Sequence, residues 1–334
     1  MFSRNRSADL PQNMPSSMGE AILAGCSIPQ LRALRPMPED AQKLIDDSVV
    51  RVGLDRLTVV RDLIEAGLVY NLPDPMSVLA LQWDRMNEVG NAQRTMIPKT
   101  RGERQMPDRD AVSIPIYMTF DDFSLGIRTL RASERVGAPL DTTLFEMATR
   151  RVNELIEDAA INGAGLQVNG ATTPGLLTAP NVNTQAYSGG ESWTLAAHDG
   201  EDILGDVSNM LGKLEDDKMY GEKTLYVPTA YFRKLTTTDF KAQSALTILQ
   251  RLEEIRTGNR NLRIRAADML PTDRTVMVEM NSSVIDVIIG QQPIPISWSD
   301  GPGFERYYMV MAFVIPRVKD NYTGQSGIVV GYTS

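Results

Sequence analysis

The sequence predicts an α+β protein, because helical and extended hydrophobic periods both occur in it without a regular βαβ cadence. Two stretches carry most of that prediction. One apolar stripe at helical spacing runs through residues 141–162, and from residue 262 onward the chain reads as successive strands. A third observation concerns what is scarce. Residues 1–38 and 94–110 hold too few large apolar side chains to bury a core of their own.

Taken in order, residues 1–38 form a leader punctuated by Pro11, Pro15, Pro29, Pro36 and Pro38. Such a segment does not fold alone, and a neighbouring copy of the chain is the surface expected beneath it. Residues 39–76 form a helical segment. Glu39 and Asp40 behind Pro38 favour a helix start, and Ile45, Val49, Val52, Leu57, Val60 and Ile64 recur at helical spacing. Gly53 is placed to divide this run in two, and Gly67 supplies the stop. A turn follows at Asn71-Leu72-Pro73-Asp74-Pro75.

Residues 77–120 read as a two-armed excursion. The outgoing arm, 78–88 with Trp83, fits helix or strand equally, whereas the return arm, 112–120, alternates strictly and is expected to be one strand. Pro115 cannot donate to a ladder and belongs at an edge. Between the arms lie Arg94, Lys99, Arg101, Arg104 and Arg109 against Glu103, Asp108 and Asp110. A charged loop this long has no core, so its tip is expected either to reach a neighbour or to remain a solvated charge run.

Residues 121–199 are organised by a helix at 141–162, entered at Pro139 and Asp141 and closed at Asn162-Gly163. Leu144, Ala148, Val152, Leu155, Ile156 and Ala159 are its expected apolar stripe. Glu146, Arg150 and Glu154 alternate in charge on the other side. Residues 163–190 are loop with short strands. Further helices are expected at 200–219, 231–235 and 244–255, the last with Leu246, Leu249 and Leu252 inward. Strands are expected at 224–228, 262–269, 274–280, 284–289, 294–298, 307–318 and 328–332.

The composition limits the chemistry. Apolar residues make 42% and charged residues 23% of 334, as in ordinary globular proteins. No run approaches the roughly 18 apolar residues of a membrane span, and nothing at the N-terminus resembles a signal peptide, so a cytoplasmic site of synthesis is expected. The single cysteine, Cys26, excludes a disulfide framework and a thiolate cage. The single histidine, His198, leaves little for acid–base or zinc chemistry; Ser192, His198 and Asp199 can be written as a triad, but adjacent His and Asp on a turn rarely align for proton relay. Gly163-Ala164-Gly165 begins like a dinucleotide fingerprint but follows a helix and lacks the third glycine, which Val168 replaces. No cofactor, metal or catalytic residue is expected, and the chain is read as no enzyme. A net charge of −8 argues against a main surface that grips nucleic acid.

Several short runs carry a resemblance. Ile114-Pro-Ile-Tyr-Met-Thr-Phe120-Asp-Asp-Phe123-Ser-Leu-Gly126-Ile-Arg128 is followed by Leu130-Arg-Ala-Ser133 and by Gly137-Ala-Pro-Leu140-Asp141-Thr142. The helix then closes at Ile161-Asn162-Gly163, Pro174-Gly175-Leu176 follows, and Tyr226-Val-Pro-Thr-Ala-Tyr231 comes later. These runs and the order of elements resemble the major capsid proteins of tailed bacteriophages with the Hong Kong 97-type fold, shared with encapsulin shells. The resemblance implies an N-terminal arm at 1–38, an extended β-loop at 77–120, and a peripheral domain at 121–199 with a spine helix at 141–162. It further implies an axial domain at 200–293 and C-terminal strands at 294–334 returning to the periphery.

The function so implied is a homo-oligomer of pentamers and hexamers that closes into an icosahedral shell. Such a shell encloses phage double-stranded DNA without sequence-specific binding and is assembled in the bacterial cytoplasm. A portal and optional scaffolding or decoration proteins are its partners, with no membrane; the sequence starts at the arm, so a separate scaffolding protein, or none, is implied. The alternative is an encapsulin-type compartment around a cargo enzyme. Arg94, Lys99, Arg101, Arg104 and Arg109 are then candidate inter-subunit contacts for Glu146, Glu154 and Glu157 of an adjacent copy. Some members of the family cross-link a loop lysine to an asparagine; Lys99 and Asn321 are the corresponding residues, and a solvated or salt-bridged lysine is the plainer reading.

Overall fold

The computed structural model describes residues 57–86, 94, 96, 109–136, 143–168, 170–195, 198–241, 246–257, 260–299, 304–321 and 324–333. The leader, most of the expected helical run before residue 57, and Asp141 at the helix entry lie outside these residues. Helix α1 (Val59–Glu65) ends at Gly67, which takes φ +74°, a value that L side chains rarely adopt. Strand β1 (Val69–Asn71) follows, and then β2 (Ala80–Met86) pairs antiparallel with β3 (Arg109–Pro115). The outgoing arm is therefore a strand. The return arm is not the single strand its alternation predicts. It stops at Pro115 and resumes as β4 (Thr119–Gly126) in a different sheet, with Ile116–Met118 carrying the chain between them.

Helix α2 (Ile127–Val136) precedes α3 (Thr143–Ile161), which is about 28 Å long at 1.5 Å per residue. Gly163, at φ +87°, closes α3 as its sequence predicts. The Pro174-Gly175-Leu176 turn caps that end from outside. Leu176 and Leu177 donate to the carbonyls of Ala160 and Ile161, both at 2.9 Å, and a Cβ on Gly175 would lie 2.3 Å from the Gly163 nitrogen. Short strands β5 (Gln167–Val168), β6 (Ala171–Thr172) and β7 (Asn183–Ala186) occupy the glycine-rich stretch.

Next come α4 (Gly200–Asp216), β8 (Lys223–Val227), α5 (Thr229–Thr237) and α6 (Ile248–Glu253). Leu246 is exposed and precedes α6 instead of facing inward, because Thr247 opens that helix by a capping box with Gln250. The remainder is β9 (Arg256–Thr257), β10 (Arg260–Asn261), β11 (Arg263–Ala266), β12 (Arg274–Glu279), β13 (Ile285–Ser299), β14 (Glu305–Val318) and β15 (Ile328–Tyr332). The expected strands 284–289 and 294–298 are one strand, β13, whose register shifts between Ile289 and Ile294 accommodate the intervening residues as bulges.

Two sheets organise these elements. A four-stranded sheet runs β1-β13-β14-β4 and a five-stranded sheet runs β11-β8-β12-β15-β7. The stretch 294–334 therefore does not return whole to one sheet. β14 pairs with β13 in the first, whereas β15 inserts between β12 and β7 in the second. The three inner strands of the five-stranded sheet, β8, β12 and β15, are buried on both faces and read as apolar runs, whereas the edge strands β11 and β7 are polar. Tyr226, Val276, Val278, Ile328 and Val330 join one core with α1, α3 and the inner face of β13–β14. Leu225, Val227, Ile264, Met277 and Val329 join another with α4, α5 and α6. The far face of β13–β14, through Ile288 and Ile315, packs on Ile114, Leu81 and Trp83 at the root of the β2–β3 ribbon.

Candidate inter-subunit surfaces

The β2–β3 ribbon pairs with no third strand among the described residues, and two strands alone are marginal in water. Its root is held by charge as well as by apolar contact. Arg85 on β2 donates to both carboxylate oxygens of Asp320 (2.8 and 2.7 Å) and to Asp110 across the ribbon at 2.5 Å. Beneath it, Arg317 is buried with its guanidinium 5.0 Å from the Tyr70 ring and 5.2 Å from the Trp83 ring. Asp286 pairs bidentately with Arg317 and also accepts from Lys319 at 2.7 Å. At the far end of β3, Arg109, Asp110 and Ala111 are exposed, Asp110 within its pair to Arg85.

Of the expected loop contacts, Arg94 and Arg109 are exposed, while Lys99, Arg101 and Arg104 lie outside the described residues. Asn321 is exposed next to Asp320, beside the root of its own ribbon. On α3, Glu146 and Glu154 are half-buried at the margin of the helix. Glu157 is not on the surface. It is 2% exposed, and its carboxylate accepts the N–H groups of Thr58 (3.1 Å), Val59 (2.6 Å) and Val60 (3.2 Å). It is thus the cap of α1, whose own N-cap residue Thr58 makes no side-chain bond. Leu155, expected in the apolar stripe, is 54% exposed. Met147, Arg151 and Leu155, at i, i+4 and i+8, form an exposed strip, and Arg151 reaches Asp121 of β4 at 3.2 Å.

Asp62 lies beside Glu157, 2% exposed, with the Tyr226 hydroxyl donating to it at 3.4 Å and Arg265 forming an ion pair at 3.7 Å. Burial pushes both carboxyls up; the three N–H donors pull Glu157 back and Arg265 pulls Asp62 back. For Asp62 the ordinary value is 3.8, and the protonated form is the one the fold favours. Its contribution to stability is full below that value and is lost as pH rises through the raised folded value. The expected outcome is that Asp62→Asn, relative to wild type, gains stability as pH goes from about 4 to about 7. Urea denaturation at several pH values measures this, and a difference that is flat or falls with pH would contradict it.

Ser192, His198 and Asp199 do not meet as a triad. Ser192 bonds Thr194 and Tyr231, Asp199 opens α4 through a capping box with Asp202, and His198 Nε2 lies 3.1 Å from Asp206. Asp206, which nothing in the sequence had singled out, also accepts from the Ser188 nitrogen (2.8 Å) and hydroxyl (2.7 Å) and from the Trp193 indole (2.8 Å). The signal was legible: Asp206 sits on the same stripe of α4 as Ile203, Val207 and Met210, where a carboxylate requires donors. Among the described residues no His, Cys, Asp and Glu group could hold a metal ion, and no helix is long and apolar enough to cross a membrane.

The fold as a whole is shared with solved structures. The capsid of Myoviridae phage XM1 aligns with a TM-score of 0.62 at 13% identity, over 81% of this chain and 91% of that one. The virus-like particle from Pyrococcus furiosus aligns with 0.59 at 16% identity, over 86% and 98%. The capsid of an empty GTA particle aligns with 0.53 at 12% identity, over 83% and 91%. Curated proteins give no sequence match. Residues 36–331 match a family model described as a family of unknown function (DUF6260). The chain belongs to this DUF6260 family, and its fold is the Hong Kong 97-type capsid fold.

Proposed function

We propose that this chain is the structural subunit of a closed icosahedral shell, the major capsid protein of a tailed phage, and not an enzyme. In this reading copies meet as pentamers and hexamers and enclose double-stranded DNA without reading its sequence, in a virion assembled in the host cytoplasm. A portal, with optional scaffolding or decoration proteins, completes it. The β2–β3 ribbon carries the proposal. It is anchored in its own subunit by Arg85 and Arg317, yet no third strand pairs with it among the described residues. A neighbouring α3, with its Met147–Arg151–Leu155 strip exposed, offers the surface that such a ribbon needs.

Individual exposed ion pairs contribute only about 0–1 kcal/mol, so such a shell would draw its stability from many repeated contacts and the apolar strips beneath them. The net charge of −8 suits a container that encloses DNA without gripping it. Negative-stain microscopy of the purified protein tests the reading: closed particles or rings are expected, and a clean monomer at high concentration would overturn it. The match to 98% of the Pyrococcus furiosus virus-like particle supports a second reading, an encapsulin-type compartment around a cargo enzyme. Nuclease-protected DNA inside purified particles favours the first, and co-purifying protein cargo the second.

A further inference from the structure

Many surface charges of this chain answer one another. Arg85 pairs with Asp110, Arg151 with Asp121, Lys241 with Glu201, Arg251 with Glu254 and Arg260 with Glu222. Helix α2 differs. Arg128, Arg131 and Arg135 are exposed along it, and none has an ion-pair partner among the described residues. At i, i+3 and i+7 they stand on one face in successive turns and span about 10 Å at 1.5 Å per residue. Glu134 is the one carboxylate in the α2 sequence.

The surroundings of this row are open. α2 packs chiefly against β4, the strand that leads into it, and its start is fixed by the Ile127 N–H donating to the Phe304 carbonyl at 2.8 Å. Thr129 and Ala132, both small, are exposed beside the arginines, so a bulky partner can come close. Arg128 stands in the first turn, where the positive end of the helix dipole adds to its charge and no carboxylate of that turn offsets it.

We propose that the arginine row of α2 contacts the phosphates of the double-stranded DNA that the shell encloses. Each guanidinium presents a planar fork of N–H donors that fits phosphate oxygens. A duplex carries one phosphate per about 3.4 Å of each strand, so a row of about 10 Å can meet one phosphate per arginine. Carboxylates of a second copy fit the row less well, because many of those on this chain are held in the pairs named above. With a net charge of −8 on the chain, three such contacts hold a duplex weakly, and phosphate contacts read no sequence. This deepens the phage-shell reading and rests on it, since that reading supplies the DNA.

Fluorescence anisotropy of the unassembled full chain with a fluorescein-labelled, mixed-sequence DNA duplex tests it. Arg128→Gln, Arg131→Gln and Arg135→Gln together are expected to weaken binding at least tenfold at low salt, with circular dichroism and melting near wild type. The slope of log affinity against log salt is expected to drop by about 2.7, at about 0.9 per phosphate. Arg233→Gln, Arg256→Gln and Arg274→Gln remove the same charge from other exposed positions and are expected to leave binding within about threefold of wild type. Should the row variant fold poorly, Arg131→Gln alone is expected to lower the slope by about 1. Closed wild-type particles are expected to leave added duplex unbound, because the row faces the DNA inside; particles that bind it through the row would overturn that placement. A row variant that binds duplex no worse than the control, or one that binds like wild type but no longer assembles, would overturn the contact, the latter in favour of a second copy. A wild type that assembles while its subunits ignore the duplex would overturn the contact and leave the shell reading standing. A wild type that never assembles would overturn the shell reading itself.

Discussion

Glu157→Ala is expected to destabilise the subunit by about 3 kcal/mol or more, with the loss concentrated at α1. Three N–H groups at the start of α1 would lose their acceptor, two of them in buried bonds, and each buried donor left unmade costs about 1–3 kcal/mol. A seven-residue helix has no stability of its own to absorb that loss. Val59, Val60 and Leu63 would then loosen from the core they share with α3. Glu157→Gln keeps one carbonyl oxygen and is expected to fall between alanine and wild type. Urea denaturation gives the total, and amide hydrogen exchange places it: Val59–Glu65 should lose protection while α4 keeps its own. Wild-type stability in the alanine variant would refute the capping role.

Joining Met86 to Arg109 through a two-residue Asn-Gly turn, in place of residues 87–108, is expected to leave a folded subunit that builds no closed particles. Met86 and Arg109 already face one another in the ladder, so a type I′ turn closes the ribbon without strain. Arg85, Asp110 and Trp83 stay in place, and with them the root. The removed residues include Arg94, Lys99, Arg101 and Arg104 and carry few large apolar side chains, so the melting temperature is expected to stay near wild type. Microscopy and sedimentation read assembly, and calorimetry reads the fold. Particles of normal size from the shortened chain would show that the ribbon tip holds no neighbour.

The α+β class, α3 with its Gly163 stop, α4 and β15 were legible because each rests on one strong local signal: a stripe, a positive-φ glycine, an apolar run. Glu157 was misplaced for a reason that lies outside α3. The helix is covered on two flanks, by the sheet and by α1, so its buried arc is wider than its apolar stripe and takes in Thr149, Asn153 and Glu157. Periodicity read from one helix reports only the flank that wants hydrocarbon. β13 was split because a bulge interrupts alternation just as a loop does; Gly290 sits there because Pro75 leaves no room for a Cβ, which would lie 2.5 Å away. The break after Pro115 was hidden in the opposite way, since alternation continues smoothly from one sheet into the next. Of the candidate contacts, charge alone marked the loop arginines, and charge does not say which surface will meet them.

The positions of β14 and β15 in their sheets bear on when a copy becomes competent. β14 lies between β13 and β4, and β15 between β12 and β7, so both sheets are completed by residues beyond 304. During synthesis β4 and β7 leave the ribosome long before the partners that hold them, and such distant pairings form slowly. Both sheets therefore close only once β14 and β15 have emerged, which ties the last step of folding to the last part of the chain to be made.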